Sequence, residues 1–239
     1  MQTDSITAFD PRKAPVVGTG AHLRAVHPDQ LTAAAIRQRF QNPPLWTPEV
    51  LRESSFTERD HAHAAVLIPL VMRDELMVLL TQRNKNMSTH AGQIAFPGGK
   101  SDPADADAIA TALRESQEEI GLNASYAEVL GTLPNYITGT HFIISPVVAL
   151  IKPAIDLRIN PLEVDCVFEV PLSFCMQPSN HNEHEVLWQG QLRRWFSIPY
   201  PKQTLNRNVL EPNENGETSH FIWGATAGML RNLYRFLIA

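Results

Sequence analysis

Residues Phe96–Leu122 read FPGGKSDPADADAIATALRESQEEIGL. The stretch divides into a Pro-Gly-Gly turn, an acidic loop and a helix that ends in a dense group of carboxylates. Asp102 followed by Pro103 predicts the helix start, because a short acceptor side chain caps the first amides and proline sits where its missing N–H costs nothing. Gly121 predicts the stop, since glycine enters the left-handed conformation that closes a helix. Between them Ala108, Ala112 and Ser116, and Ile109, Leu113 and Ile120, recur at helical spacing, so one side can pack on a core.

Glu115, Glu118 and Glu119 fall at i, i+3 and i+4, which puts three carboxylates on one face. Like charges at that spacing destabilise a helix by roughly 0.2–0.5 kcal/mol per pair. Arg114 can pair with Glu118 and relieve one of them. A solvated surface tolerates the rest. A hard divalent cation would explain it, since Mg²⁺ is held by a few carboxylates together with waters and substrate phosphate oxygens.

Arg114-Glu115-Ser116-Gln117-Glu118-Glu119-Ile120-Gly121-Leu122, after the Gly98-Gly99 turn, resembles the Nudix box, the Mg²⁺-binding loop and helix of hydrolases of nucleoside diphosphate derivatives. The resemblance implies an α/β/α sandwich with a mixed sheet and metal-dependent hydrolysis of a pyrophosphate link. It implies Glu115 and Glu119 as main metal ligands for Mg²⁺ or Mn²⁺, Glu118 as a third, and the Gly99 carbonyl as a further one. Arg114 would orient a glutamate by a salt bridge, which fixes ligand geometry. The family pattern places a Gly fourteen residues before the Arg and a Glu eight before it; Lys100 and Ala106 stand there instead. Gly99 lies one step further back, and Asp105 and Asp107 flank the missing Glu. The loop is thus one residue longer, with either aspartate open as the substitute.

Leu79-Leu80-Thr81-Gln82-Arg83 and Gly92-Gln93-Ile94-Ala95-Phe96-Pro97-Gly98-Gly99 resemble the motif of the coenzyme A pyrophosphatase branch of that family. Asn84 stands where Ser or Ala is usual, and Ser88 where Arg is usual. The resemblance implies substrate contacts at Arg83, Lys85, His90, Gly98 and Gly99, and products 4′-phosphopantetheine and 3′,5′-ADP from coenzyme A. It extends to Phe221–Ala227, so residues 61–239 are expected to form the Nudix domain behind an N-terminal extension, 1–60. Among later glutamates that could serve as general base, Glu163 ranks before Glu169 and Glu183. ADP-ribose or another nucleoside diphosphate derivative is the alternative substrate. A non-catalytic nucleotide-binding module is the alternative of another class.

Composition bounds these readings. Of 239 residues 44% are hydrophobic, enough for a substantial core, and the net charge of −5 argues against a general nucleic-acid or membrane-surface binder. Cys166 and Cys175 show no metal spacing and suggest reduced thiols in a cytoplasmic protein. The first residues lack the pattern of a signal peptide, and no apolar run reaches the roughly 20 residues of a membrane helix. A small-molecule partner is expected, and a homodimer is left open.

Along the chain, residues 1–25 read as an irregular leader and Pro28–Phe40 as a helix. Residues 41–62 read as an extended arm with a short helical turn near Glu49–Glu53. Ala64–Met72 and Leu76–Arg83 form a predicted hairpin, the first strand nearly all apolar. Ala127–Leu133 and His141–Lys152 are predicted strands, and Asp165–Val170 and Glu185–Leu192 weaker ones. Arg193–Ile198 would extend the sheet. Residues 199–217 read as a loop, and the stretch from His220 onward as a terminal amphipathic helix.

Overall fold

The computed structural model describes residues 10–55, 60–188, 190–201 and 219–239. In chain order the elements are β1 (Val16–Thr19), α1 (Ala33–Gln41), β2 (Ala62–Met72), β3 (Leu76–Arg83), β4 (Ile94–Ala95), β5 (Gly98–Lys100), α2 (Ala108–Ile120), β6 (Ala127–Thr132), β7 (Tyr136–Ile137) and β8 (Phe142–Ile151). Then follow β9 (Val164–Pro171), α3 (Leu172–Cys175), β10 (Asn182–Trp188), β11 (Gln191–Pro201), β12 (Ser219–Trp223) and α4 (Gly224–Ile238).

The central sheet is mixed, as expected. β2 runs parallel to β8 from Ala62↔Phe142 to Val71↔Ile151, and its other neighbours are antiparallel. β2 reads as continuous apolar sequence because both its faces are covered. Ala65, Leu67 and Val71 pack beneath α2 with Val147, Ala149 and Ile151, while Ile68 and Leu70 pack with Val148, Leu150 and the α4 side chains Leu230 and Leu233. Each of the buried valines, leucines and isoleucines among them stabilises the fold by roughly 1.5–3 kcal/mol. β2 also changes partner along its length. It pairs β3 at Leu70–Met72 but β5 at Ala64–Val66, so the glycine turn slots in where β3 has parted from β2.

Several sequence expectations are corrected. The helix starts at Ala108, not at Asp102. Val16–Thr19, read as part of an irregular leader, is an edge strand on β10, and residues 1–9 lie outside the described set. The expected helix over Pro28–Phe40 breaks at Thr32, whose hydroxyl caps α1 by accepting Ala35 N at 3.2 Å after a 3₁₀ turn. Glu49–Glu53 holds no helical turn; it is extended, with Arg52 bridged to Ile137. Glu185–Leu192 is two strands meeting at a turn, and β11 belongs to a second, four-stranded sheet, β1-β10-β11-β12, instead of extending the first. The terminal helix begins only at Gly224, because Ser219–Trp223 pairs with β11. Of the loop expected over 199–217, Pro199–Pro201 belong to β11 and the remainder lies outside the described residues. No helix of the described residues is long and apolar enough to cross a membrane.

Candidate active site

The site is built from the two ends of the quoted stretch. Asp107 is the α2 cap, its Oδ1 accepting Ala110 N at 2.8 Å. Asp102 and Asp105 close a turn ahead of it, Ala104 N donating to Asp102 Oδ1 and Asp102 N to Asp105 Oδ2. Gly121 ends the helix at φ +69°, with its N–H on Gln117 O and Leu122 N on Ser116 O, the closure glycine permits. Ser116 fits its apolar slot because its hydroxyl donates to Ala112 O at 2.7 Å while fully buried.

Of the two flanking aspartates, Asp105 is the one that engages Arg114. Arg114 donates to it twice, Nε to Oδ1 and Nη2 to Oδ2, both at 3.0 Å. Nη1 of the same arginine reaches Glu115 Oε1 at 2.9 Å and Glu118 Oε2 at 3.0 Å, and Nη2 also donates to Lys100 O. One guanidinium thus fixes two of the three helix glutamates, not one. The Arg114 hydrogen bonds hold the Asp105 carboxyl well below the usual carboxylate range.

Glu119 lies on the buried side of the helix, 2% exposed. Its Oε2 accepts Gly98 N at 3.1 Å, and Arg83 Nη1 approaches Oε1 at 3.4 Å. Burial pushes its carboxyl up to about 7; Gly98 and Arg83 oppose the shift, and Glu163 and Glu115 add to it. Burial also raises Glu115, with the charges of Glu118 and Glu163 contributing in the same direction. The glycines explain the close approach of helix and turn. A Cβ at Gly99 would stand 2.3 Å from Glu115 Oε2, and one at Gly98 2.4 Å from Ala65 O.

The structure therefore brings together Arg83, Gly98, Gly99, Arg114, Glu115, Glu118, Glu119 and Glu163. Glu163 accepts Asn160 Nδ2 at 2.9 Å, and Asn160 N donates to Glu119 O at 2.8 Å, so one asparagine ties the Glu163 loop to the helix end. The sequence carried no signal for Asn160. Lys85 and His90 are exposed on the loop after Arg83. Lys85 N donates to Asp165 Oδ2, and His90, at φ +57°, bonds Gln93 and lies near Glu53; neither touches the glutamates. Arg193 and Arg194 stand on the second sheet, where Arg194 pairs with Glu185 at 2.5 Å.

Among the described residues no three His, Cys, Asp or Glu side chains already converge as a metal cage. The donor set nevertheless fits a hard divalent cation. Every candidate donor is an oxygen; Arg114 pairs with Asp105, Glu115 and Glu118, Arg83 with Glu119, and Glu163 adds a further negative charge beside Glu119. A cation bound between substrate phosphates and carboxylates would offset that excess. The buried Nε of Arg83 has no acceptor among the described residues, and such an orphan donor suits a ligand oxygen.

A family model described as the NUDIX domain matches residues 61–199. An uncharacterized Nudix hydrolase, NudL, of Escherichia coli (strain K12) is 37% identical over 203 residues, covering 85% of this chain and 93% of that protein. A protein of the same description from Shigella boydii serotype 18 is 36% identical over 203 residues, with the same coverage. Among solved structures, the C. elegans Ap4A hydrolase binary complex aligns at a TM-score of 0.41 and 20% identity, covering 49% of this chain and 85% of that one.

Proposed function

The chain belongs to the Nudix hydrolase family, and we propose that within it this protein cleaves the pyrophosphate bond of coenzyme A or an acyl-coenzyme A. Family membership carries the broader activity: hydrolysis of pyrophosphate links in nucleoside diphosphate derivatives with a divalent metal. The observation that carries the finer reading is the joining of two motifs. Arg83, from the LLTQR segment, reaches Glu119 of the glutamate turn and keeps its Nε without an acceptor among the described residues.

In this reading Glu115, Glu118, Glu119 and the Gly99 carbonyl would hold Mg²⁺ or Mn²⁺, which when bound would supply charge neutralisation at the phosphate oxygens and activation of water. The chain's own residues do the rest. Asp105 fixes Arg114, which fixes Glu115 and Glu118. Gly98 and Gly99 let the substrate approach the turn, and Arg83 with Lys85 supplies positive charge toward its phosphates, with His90 on the same loop as Lys85. Glu163, oriented by Asn160, takes the proton from the attacking water.

Ser88, standing where the branch motif carries arginine, favours ADP-ribose or another nucleoside diphosphate derivative as the second reading. The non-catalytic reading rested on the missing loop glutamate, and it loses that support because Asp105 engages Arg114. The test is mass identification of products from a coenzyme A digest in heavy-oxygen water, run beside dephospho-coenzyme A, ADP-ribose and diadenosine substrates. The reading expects 4′-phosphopantetheine and 3′,5′-ADP, with one product labelled. Faster turnover of ADP-ribose than of coenzyme A would overturn the assignment.

A further inference from the structure

The segment before β2 lies outside the part matched by the family model, yet it is fastened into the molecule from two sides. From α4, Asn232 grips its backbone: Oδ1 accepts Glu49 N at 2.9 Å and Val50 N at 3.0 Å, and Nδ2 donates to Val50 O at 2.7 Å. Arg231, 2% exposed, donates to both Glu49 carboxylate oxygens at 2.8 and 3.0 Å. From the β7 side, Ile137 N donates to Leu51 O and Glu53 N to Ile137 O, both at 2.9 Å.

The Glu53 side chain then reaches beyond that backbone pairing. Its Oε1 accepts the Tyr136 hydroxyl at 2.7 Å, and its Oε2 accepts Gly139 N at 2.9 Å. Tyr136 is fixed from beneath by Gly228 of α4, where a Cβ would stand 2.5 Å from the phenol oxygen. The Glu53 carboxylate therefore holds the loop between β7 and β8. That loop borders the glycine turn: Phe142 follows it directly, and the Lys100 ammonium, one residue past Gly99, lies 5.7 Å from the Phe142 ring centroid. On the other side, His90 of the loop after Arg83 lies near Glu53. A half-buried carboxylate that commits both oxygens to the loop, one to a phenol and one to a backbone amide, gives up part of its hydration to fix that geometry, which is understandable if the geometry is used.

We propose that Glu53 is a positioning residue for the substrate, holding the β7–β8 loop opposite His90 so that together they border the approach to the glutamate turn. Substrate affinity depends on it; metal binding and the chemical step do not. This rests on the reading of the chain as a diphosphate hydrolase. The test uses the full chain with Glu53→Gln and, separately, Tyr136→Phe, which removes one donor and leaves the arm intact. For whichever diphosphate substrate the wild type turns over, Glu53→Gln should raise KM about tenfold, the cost of one hydrogen bond to a charged group, with kcat within about twofold. Tyr136→Phe should raise KM in the same direction by less. Mn²⁺ affinity, read by electron paramagnetic resonance, should be unchanged in both. A merely structural role would shift melting, kcat and Mn²⁺ affinity together, and that result overturns the proposal. So does an unchanged KM in both variants. If Glu53→Gln does not fold, Tyr136→Phe decides by the same readouts. A wild type that turns over no diphosphate substrate would sink the functional reading itself, a distinguishable result.

Discussion

Adding one methyl group at Gly99 should separate the catalytic arrangement from the fold. A Cβ there would stand 2.3 Å from Glu115 Oε2, 2.5 Å from Cδ and 2.8 Å from Oε1, whereas ordinary contact begins at 3.4 Å. The three nearest atoms all belong to one carboxylate, the movable end of a side chain, and the Gly99 backbone is outside the left-handed region. The carboxylate must then retreat by about 1 Å, and misplacement on that scale can cost on the order of 10²-fold in rate, or about 3 kcal/mol of transition-state stabilisation. Gly98→Ala is the contrast. Its Cβ would meet Ala65 O at 2.4 Å and Val66 Cα at 2.6 Å, both backbone, at φ +156°, so β2 itself has to shift. Steady-state kinetics, Mn²⁺ titration and thermal unfolding on both variants test the distinction. Gly99→Ala should unfold near the wild-type temperature while losing turnover and metal affinity; Gly98→Ala should lose stability as well. Wild-type kcat and Mn²⁺ affinity in Gly99→Ala would refute the idea that this glycine exists to seat Glu115.

Glu119→Gln should abolish metal-dependent turnover and leave the circular dichroism spectrum unchanged, since the amide keeps the shape of a 2% exposed side chain; near wild-type kcat would remove Glu119 from the site. Asp105→Asn should flatten the acid limb of unfolding. The Asp105 carboxyl is held low by Arg114, so its stabilisation is present above the unfolded value of about 3.9 and is lost as pH falls toward the folded one. Superimposable acid limbs for the two proteins would show that the pair carries no stability. Asn232→Ala deletes three hydrogen bonds to the arm, at about 1 kcal/mol each, so urea unfolding should register a loss of about 3 kcal/mol and melting a drop of roughly 6–12 °C. A loss under about 1 kcal/mol would mean the arm is not held there.

What could be read from the sequence is what local rules encode or visibly break. Gly121 is a stop because nothing else in the turn accepts a left-handed backbone, and the β2–β3 hairpin shows itself by an apolar run, an Asp-Glu turn and a second apolar run. Glu115, Glu118 and Glu119 stood out because the grouping works against its own helix. The misplaced helix start has a different cause. Asp102, Asp105 and Asp107 are chemically equal caps within one short segment, and the choice is made elsewhere. Arg114, a turn and more into the helix, claims Asp105, Asp102 closes the turn onto it, and Asp107 is left to cap. β1 was invisible for a similar reason, since Val16–Thr19 becomes a strand only by pairing with β10, far along the chain. Glu53, Asn160 and Asn232 break no local rule where they stand. Each is an ordinary polar residue until folding brings it to a backbone or side chain distant in sequence. Residues that hold the site in place are therefore hidden in one sequence, while those that bear its charge are exposed by the strain they create.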